Sequence, residues 1–217
     1  MLTSDDIAKY FLVKAGEEDF ITNMKLLKLV SYAQGYYLGL FNQPLFNDEI
    51  EAWEHGFVIN DVYQEYKFWS ERSIGLDSSS DEVLGRLSNS VQSFLDSIYD
   101  CFGQFTASRL REMNHEEDIW IKYYVPGQMR IKIPHEEAKQ HFGGKLEVIK
   151  DYLKPQALIS VEVGNDIDSF GGMNSMNFSP SLKALAKKAI VGAEARRSED
   201  AVQWSTDMAS QLTAYND

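Results

Sequence analysis

Apolar residues recur at helical spacing along most of the chain. In "TNMKLLKLVSYAQGYYLGL", Leu26, Leu29, Val30, Ala33, Tyr37 and Leu40 fall on one stripe, and Thr22 or Asn23 is placed to cap the helix. Lys25 and Lys28 sit at the edge of that stripe. Upstream, "TSDD" opens a first helix with Ile7 and Phe11 on its inner face and Gly16 as its stop. The longest stripe runs through Leu84, Leu87, Val91, Phe94, Leu95, Ile98 and Phe102, and predicts one helix of roughly five turns ending at Gly103. Shorter helices are predicted over "DVYQEYKFW", capped by Asn60, with Val62, Tyr63, Tyr66 and Trp69 inward, and around "SRLREMN". "HEEDIW" reads as an acidic helix start leading to a buried Trp120, and "PHEEAKQHF" as a helix opened by Pro134 and closed by Gly143 and Gly144.

Two stretches break the helical period. Ile50 and Ala52 alternate with charged neighbours as a short strand does, Glu51 taking the wet side, and "MRIKI" alternates after Pro126 and Gly127. The two are expected to pair. The fold class is therefore mainly α with a small antiparallel β element (α+β), in one compact domain over residues 1–143. Residues 144–217 read as a C-terminal extension. It begins with a helical segment near 145–153 and a strand in "ALISVEV", then a flexible stretch near 164–180 rich in Gly, Asn, Ser and Met. Two amphipathic helices follow, in which Leu182, Leu185, Lys187, Trp204 and Met208 are candidate docking residues.

Composition narrows the function classes. A net charge of −12 argues against nucleic acid, whose phosphates need cations, and suits a basic protein partner. A single cysteine, Cys101, excludes an internal disulfide and argues against a thiolate zinc site. The acidic start "MLTSDDIAKYF" lacks the basic and apolar regions of a signal peptide, and no run reaches membrane-span length, so a cytoplasmic location is expected.

Candidate chemistry is thin. "HEEAKQH" resembles the zinc-protease helix, but His135 and His141 are too far apart in sequence to meet one metal from one helix face. His115 with Glu116, Glu117 and Asp118 could bind a hard cation, yet acidic residues at a helix start are common. The basic run Lys183, Lys187, Lys188, Arg196 and Arg197 reads as a solvated face. "EAWEHGFVINDVY" gathers Glu51, Glu54, His55 and Asp61, which poses the choice between a reactive set and a structural corner. A small metal-dependent hydrolase would require His55 and His115 to converge with nearby carboxylates. No catalytic residue, metal site or cofactor is assigned.

Three segments together resemble one family. "NMKLLKLVSYAQGYYLGLFNQPLFNDEIEAWEHGFVINDVYQEYK", "FLDSIYDCFGQFTASRLREMNHEEDIW" and "MRIKIPHEEAKQHF" are similar, in order and at natural spacing, to the Panacea domain of SocA-like antitoxins and phage-associated proteins. Lys25, Leu26, Lys28, Leu29, Tyr32, Gly35, Pro44, Leu45, Phe46, Ala52, Trp53, His55, Gly56, Val58, Tyr63, His115 and Trp120 fall on the pattern. Two residues depart from it: Phe57 stands where the family prefers Pro, and Asn114 where it prefers Thr.

The resemblance implies a non-catalytic protein that neutralises a toxin encoded by a neighbouring gene through direct binding, or as a proteolytic adaptor. A phage-borne modulator of a host protein is the alternative. It implies structural or partner-binding roles for Lys25, Lys28, Tyr32, Trp53, His55, Gly56, Phe57, Tyr63, His115 and Trp120. A homo-oligomer stays open.

Overall fold

The structure, a computed structural model, describes residues 2–158 apart from 17, 18, 77–79, 129 and 155. The flexible stretch near 164–180 and the two helices with Leu182, Leu185, Lys187, Trp204 and Met208 lie outside the described residues, as does most of the strand expected in "ALISVEV". The rest is mostly helical with one small antiparallel sheet, the α+β class expected.

Helix α1 (Ser4–Ala15) starts where Thr3 and Asp6 form a reciprocal capping box, and it ends at Gly16, whose φ of 59° favours glycine. Asp6 is buried and pairs with Arg86 at 2.8 Å, tying α1 to α4 (Ser80–Arg86). Helix α2 (Asn23–Phe41) is capped by Thr22, which accepts from the Lys25 N–H. Its expected stripe is inside apart from half-buried Tyr37, and so is nearly everything else on it. Lys25, Lys28, Ser31, Tyr32, Gln34 and Tyr36 are buried as well. A stripe analysis assumes one wet face, whereas α1, α5, α6, α8 and strand β2 surround this helix.

Strands β1 (Ile50–Trp53), β2 (Gly56–Val58) and β3 (Ile131–Ile133) form a sheet in the order β2-β1-β3. β3 pairs with β1 in the anticipated place, Ile50 opposite Ile133 and Ala52 opposite Ile131. β2 returns from β1 through a two-residue turn, Glu54 and His55, with Trp53 opposite Gly56 and Ala52 opposite Phe57. Helix α3 (Asn60–Tyr66) follows. Ile59, not Asn60, holds its cap position, and no side chain caps it there.

The long helix expected through Phe102 is two helices, α4 and α5 (Asn89–Phe102). Ser88 breaks it by capping α5 through the Val91 N–H, while Gln92 Nε2 donates to the carbonyls of Leu84 and Leu87 at 2.9 Å each. Leu84 is exposed as a result. Helices α6 (Ala107–His115), α7 (Asp118–Tyr123) and α8 (His135–Gly143) complete the set. In α7 the buried residue is Ile119, and Trp120 is only half-buried, because its indole lies over the hairpin turn.

The core is aromatic. Tyr32 stacks on Phe102 with centroids 4.2 Å apart, and Phe142 meets Tyr36 at 5.1 Å and Phe57 at 6.1 Å. Helix α8 reaches α2 this closely because Gly35 and Gly39 face it. Between Gly144 and Leu153 the chain makes one 3₁₀ turn (Leu146–Val148) where a longer helical segment was expected, and Ala157 and Leu158, which open the expected strand, are helical. The chain stays on the same body: Ile149 is buried, and Lys154 pairs with Asp96 and Asp100 on α5 at 3.1 Å each.

Candidate functional site

The residues marked in the sequence converge on the β1–β2 hairpin. β2 is an edge strand, so the outer N–H and C=O of Phe57 need partners from elsewhere. Asn114, at the end of α6, accepts from the Phe57 N–H through Oδ1 at 2.9 Å. Lys28, on α2, donates from Nζ to the Phe57 carbonyl at 2.9 Å. Two buried side chains therefore stand in for the missing strand. Gly56 makes room for both. Its φ is 97°, and a Cβ there would lie 2.7 Å from Asn114 Oδ1 and 2.8 Å from Lys28 Nζ.

Phe57 itself is fully buried against Tyr32 and Phe142, which makes it a core residue and not a contact presented to solvent. The two departures from the family pattern are thus bonded to each other. A proline at 57 would have no N–H for Asn114 to accept. Asn114→Ala should cost about 1–3 kcal/mol, the range for stranding a buried donor. Chemical denaturation with an unchanged slope would register it.

Lys28 is 1% exposed and makes no ion pair among the described residues. Burial, helped by the positive charge of Arg111, pulls its pKa down to about 7. Between that value and the ordinary lysine value of 10.5, the unfolded chain holds a proton that the folded chain has released. Stability should therefore rise with pH through this window. Lys28→Met, which keeps the length and removes the charge, should lack that rise. Urea titrations of both proteins from pH 6 to about pH 10 read the difference, with the other titrating groups cancelling. Beside Lys28, Tyr32 Oη and Asn114 Nδ2 are both buried without a well-formed hydrogen bond, although the Asn114 amide is near enough to act on the tyrosine hydroxyl.

The turn is held from outside. Trp120 Nε1 donates to the Trp53 carbonyl at 2.9 Å, and His115 Nε2 donates to the Glu54 carbonyl at 2.9 Å. His115 stacks on Trp120 at 4.3 Å, and Trp120 on Tyr124 at 4.5 Å. Trp53 meets Tyr63 edge-on at 4.9 Å. Burial and the charges of Arg111, Lys28 and His55 hold the His115 imidazole below its usual pKa, against the pull of the Glu54 carbonyl.

Of the marked residues, Lys28, Tyr32, Trp53, Gly56, Phe57, Tyr63, His115 and Trp120 share this corner. His55 sits exposed at the turn. Lys25 does not join them. It binds Asp19 at 2.9 Å, and Asp19 also accepts from Tyr99 Oη, which holds its carboxyl below the usual range despite burial.

"EAWEHGFVINDVY" is divided by the fold. Glu54 and His55 form the turn, whereas Glu51 is only 4% exposed, where the sequence pattern placed it on the wet side. Its backbone neighbours alternate as expected, but Trp53 lies on that second face, bonded to Glu51, with Asn60 and Asp61 lining the recess beside it. His55 and His115 do approach one corner. No group of three or more His, Cys, Asp or Glu there, or elsewhere among the described residues, is arranged to hold a metal ion. His141 instead contacts Glu117 at 2.7 Å, and with Lys145 it keeps that half-buried carboxylate ionised.

Two polar anchors lie outside the marked residues, and of these Asn114 is noted in the sequence only as a departure from the family pattern. Gln34 donates to the Phe46 and Asp48 carbonyls at 2.8 and 3.0 Å and accepts from the Leu45 N–H, fixing the "PLF" turn. Asn114 is the other. No helix among the described residues is long and apolar enough to cross a membrane.

Residues 26–121 match the family model described as antitoxin SocA-like, Panacea domain. No curated protein and no solved structure matches the chain.

Proposed function

We propose, from the match of residues 26–121 to the antitoxin SocA-like, Panacea domain, that the chain neutralises one cognate toxin by direct protein–protein contact. The carrying observation is the domain match itself, which spans the hairpin corner and the helix that supports it. The hydrogen-bonding side chains of that corner are spent on holding backbone, as Lys28, Asn114, His115 and Trp120 do. That leaves partner contact to the rim and to more variable parts. The net charge of −12 favours a basic partner, through faster encounter and exclusion of acidic competitors. Neutralisation of this kind calls for no catalysis, and delivery of the bound toxin to a protease is its adaptor form. Residues 144–217 carry partner choice in this reading.

Co-expression with the product of the adjacent gene is the test. Growth should be arrested by that product alone and restored when this chain is present, with the two proteins co-purifying. A neighbour that is neither toxic nor bound sinks the proposal. Exchange of residues 144–217 between relatives should transfer toxin choice, and unchanged choice would remove that segment from the mechanism.

A further inference from the structure

β1 turns Ile50 and Ala52 into the core and Glu51 to the other face of the sheet. Glu51 Oε2 accepts from Trp53 Nε1 at 2.7 Å. Among the described residues its other oxygen has no donor, and its charge has no cation within ion-pair distance. A carboxylate so far withdrawn from water, with one neutral donor, is poorly compensated. It is not sealed, however. It lines a recess of about 460 Å³ between β1, the start of α3 and the loop before β3.

The walls of the recess deepen the imbalance. Asp48, Glu49 and Asp61 join Glu51 there, against Arg130 and Lys132. Lys132 is already engaged, its Nζ 3.4 Å from Glu49. Asp48 accepts from Ser4 Oγ at 2.7 Å. His135 is occupied through Nε2, 3.3 Å from both the Asp48 carbonyl and Gln34 Nε2. Arg130 is exposed at the rim and makes no ion pair with Glu51, which is left without a donor of positive charge.

We propose that this recess receives one basic group, the guanidinium or ammonium of a protein partner's side chain, with Glu51 as its ion partner. A guanidinium suits it best: its fork can bond the unused Glu51 oxygen while still reaching Asp61 at the rim. Arginine in a desolvated pocket is a recurrent anchor near the centre of protein interfaces. That the occupant is a protein side chain rests on the antitoxin-like reading above; the preference for a cation does not.

The indole N–H of Trp53 bonds the same carboxylate and so reports occupancy. Its resonance in the isotope-labelled full chain, assigned with Trp53→Phe, is followed while N-acetyl-arginine amide is added. A saturable shift is expected, half complete at about 1–10 mM, the strength of a single anchored side chain. N-acetyl-norleucine amide should leave the signal in place. Glu51→Gln keeps an acceptor for Trp53 but loses the charge, and should raise half-saturation about tenfold or more. Should that variant not fold, Asp61→Asn leaves the Glu51–Trp53 bond intact and should weaken the response about two- to fivefold, as loss of a partly exposed pair does.

An unmoved signal in the natural chain, an equal shift with the norleucine or a glutamate amide, or an unchanged response in the variants overturns the proposal. The toxin assay separates the two readings. If Glu51→Gln loses the arginine response yet still protects cells fully, the recess is not the partner contact, and the antitoxin reading stands. If the natural chain binds no neighbouring product, that reading fails while the amide titration still decides the recess.

Discussion

Phe142→Ala should lower the free energy of unfolding by about 3–5 kcal/mol, the cost of emptying a buried aromatic position. Phe142 is 1% exposed and links α8 to Tyr32 and Tyr36 on α2 and to Phe57 on β2. Its ring lies directly over Gly35, where a Cβ would come within 2.3 Å of it. The truncation therefore opens a hole whose wall is the α2 backbone, and a helix backbone does not collapse inward to fill it. A second mutation checks the geometry. Gly35→Ala alone should destabilise, but in the Phe142→Ala background the new methyl enters vacant space, and the harm should vanish or reverse. The double-mutant cycle should give a favourable coupling of roughly 0.5–3 kcal/mol. Additive effects would mean that Phe142 does not pack on Gly35.

Gly39→Val should be the most damaging single change on α2, at about 3 kcal/mol or more. A Cβ at Gly39 would lie 2.6 Å from the Gly143 nitrogen and 2.8 Å from the Phe142 carbonyl carbon, both main-chain atoms of α8. A ring can tilt away from a new methyl; a helix end has to move as a whole. Gly39→Ala gives the sharper test of sign. Helix propensity alone would make it stabilising by about 1 kcal/mol. The clash opposes that gain and should win, so the alanine variant should unfold at lower urea concentration than the natural chain. A more stable Gly39→Ala would show that α8 sits farther from α2 than described.

Much of this architecture was legible because local signals and burial agreed. The Thr3 and Gly16 ends of α1, and the pairing of Ile50 with the "MRIKI" strand, follow from capping chemistry and alternation. Three features were hidden for separate physical reasons. Leu84, Leu87 and Val91 keep helical phase across the α4–α5 break, so periodicity cannot see Ser88 interrupt it. Lys28 looks like an edge residue only while α2 is assumed to have a wet side. Glu51 looks solvated because a four-residue strand does not announce that its second face is covered.

The corner was legible in membership but not in role. Trp53, Gly56, His115 and Trp120 were picked out together, yet the bonds that join them run through backbone groups of the turn, which a sequence does not display. Asn114 stood out only as an oddity. Its purpose appears once the Phe57 N–H is seen to need an acceptor.

The enclosure of α2 bears on how the protein can change over time. A helix buried at every residue but Met24, Tyr37 and Gly39 has almost no surface on which a new partner could be accommodated, and its amide protons should exchange with water only when the whole body opens. Stability and recognition then fall to different residues. Rim positions such as Asp61 can drift toward another target without loosening the frame, whereas a change on α2 is paid in abundance before it can be tried for affinity. Such a division would let one scaffold be redirected many times while its central helix stays nearly fixed.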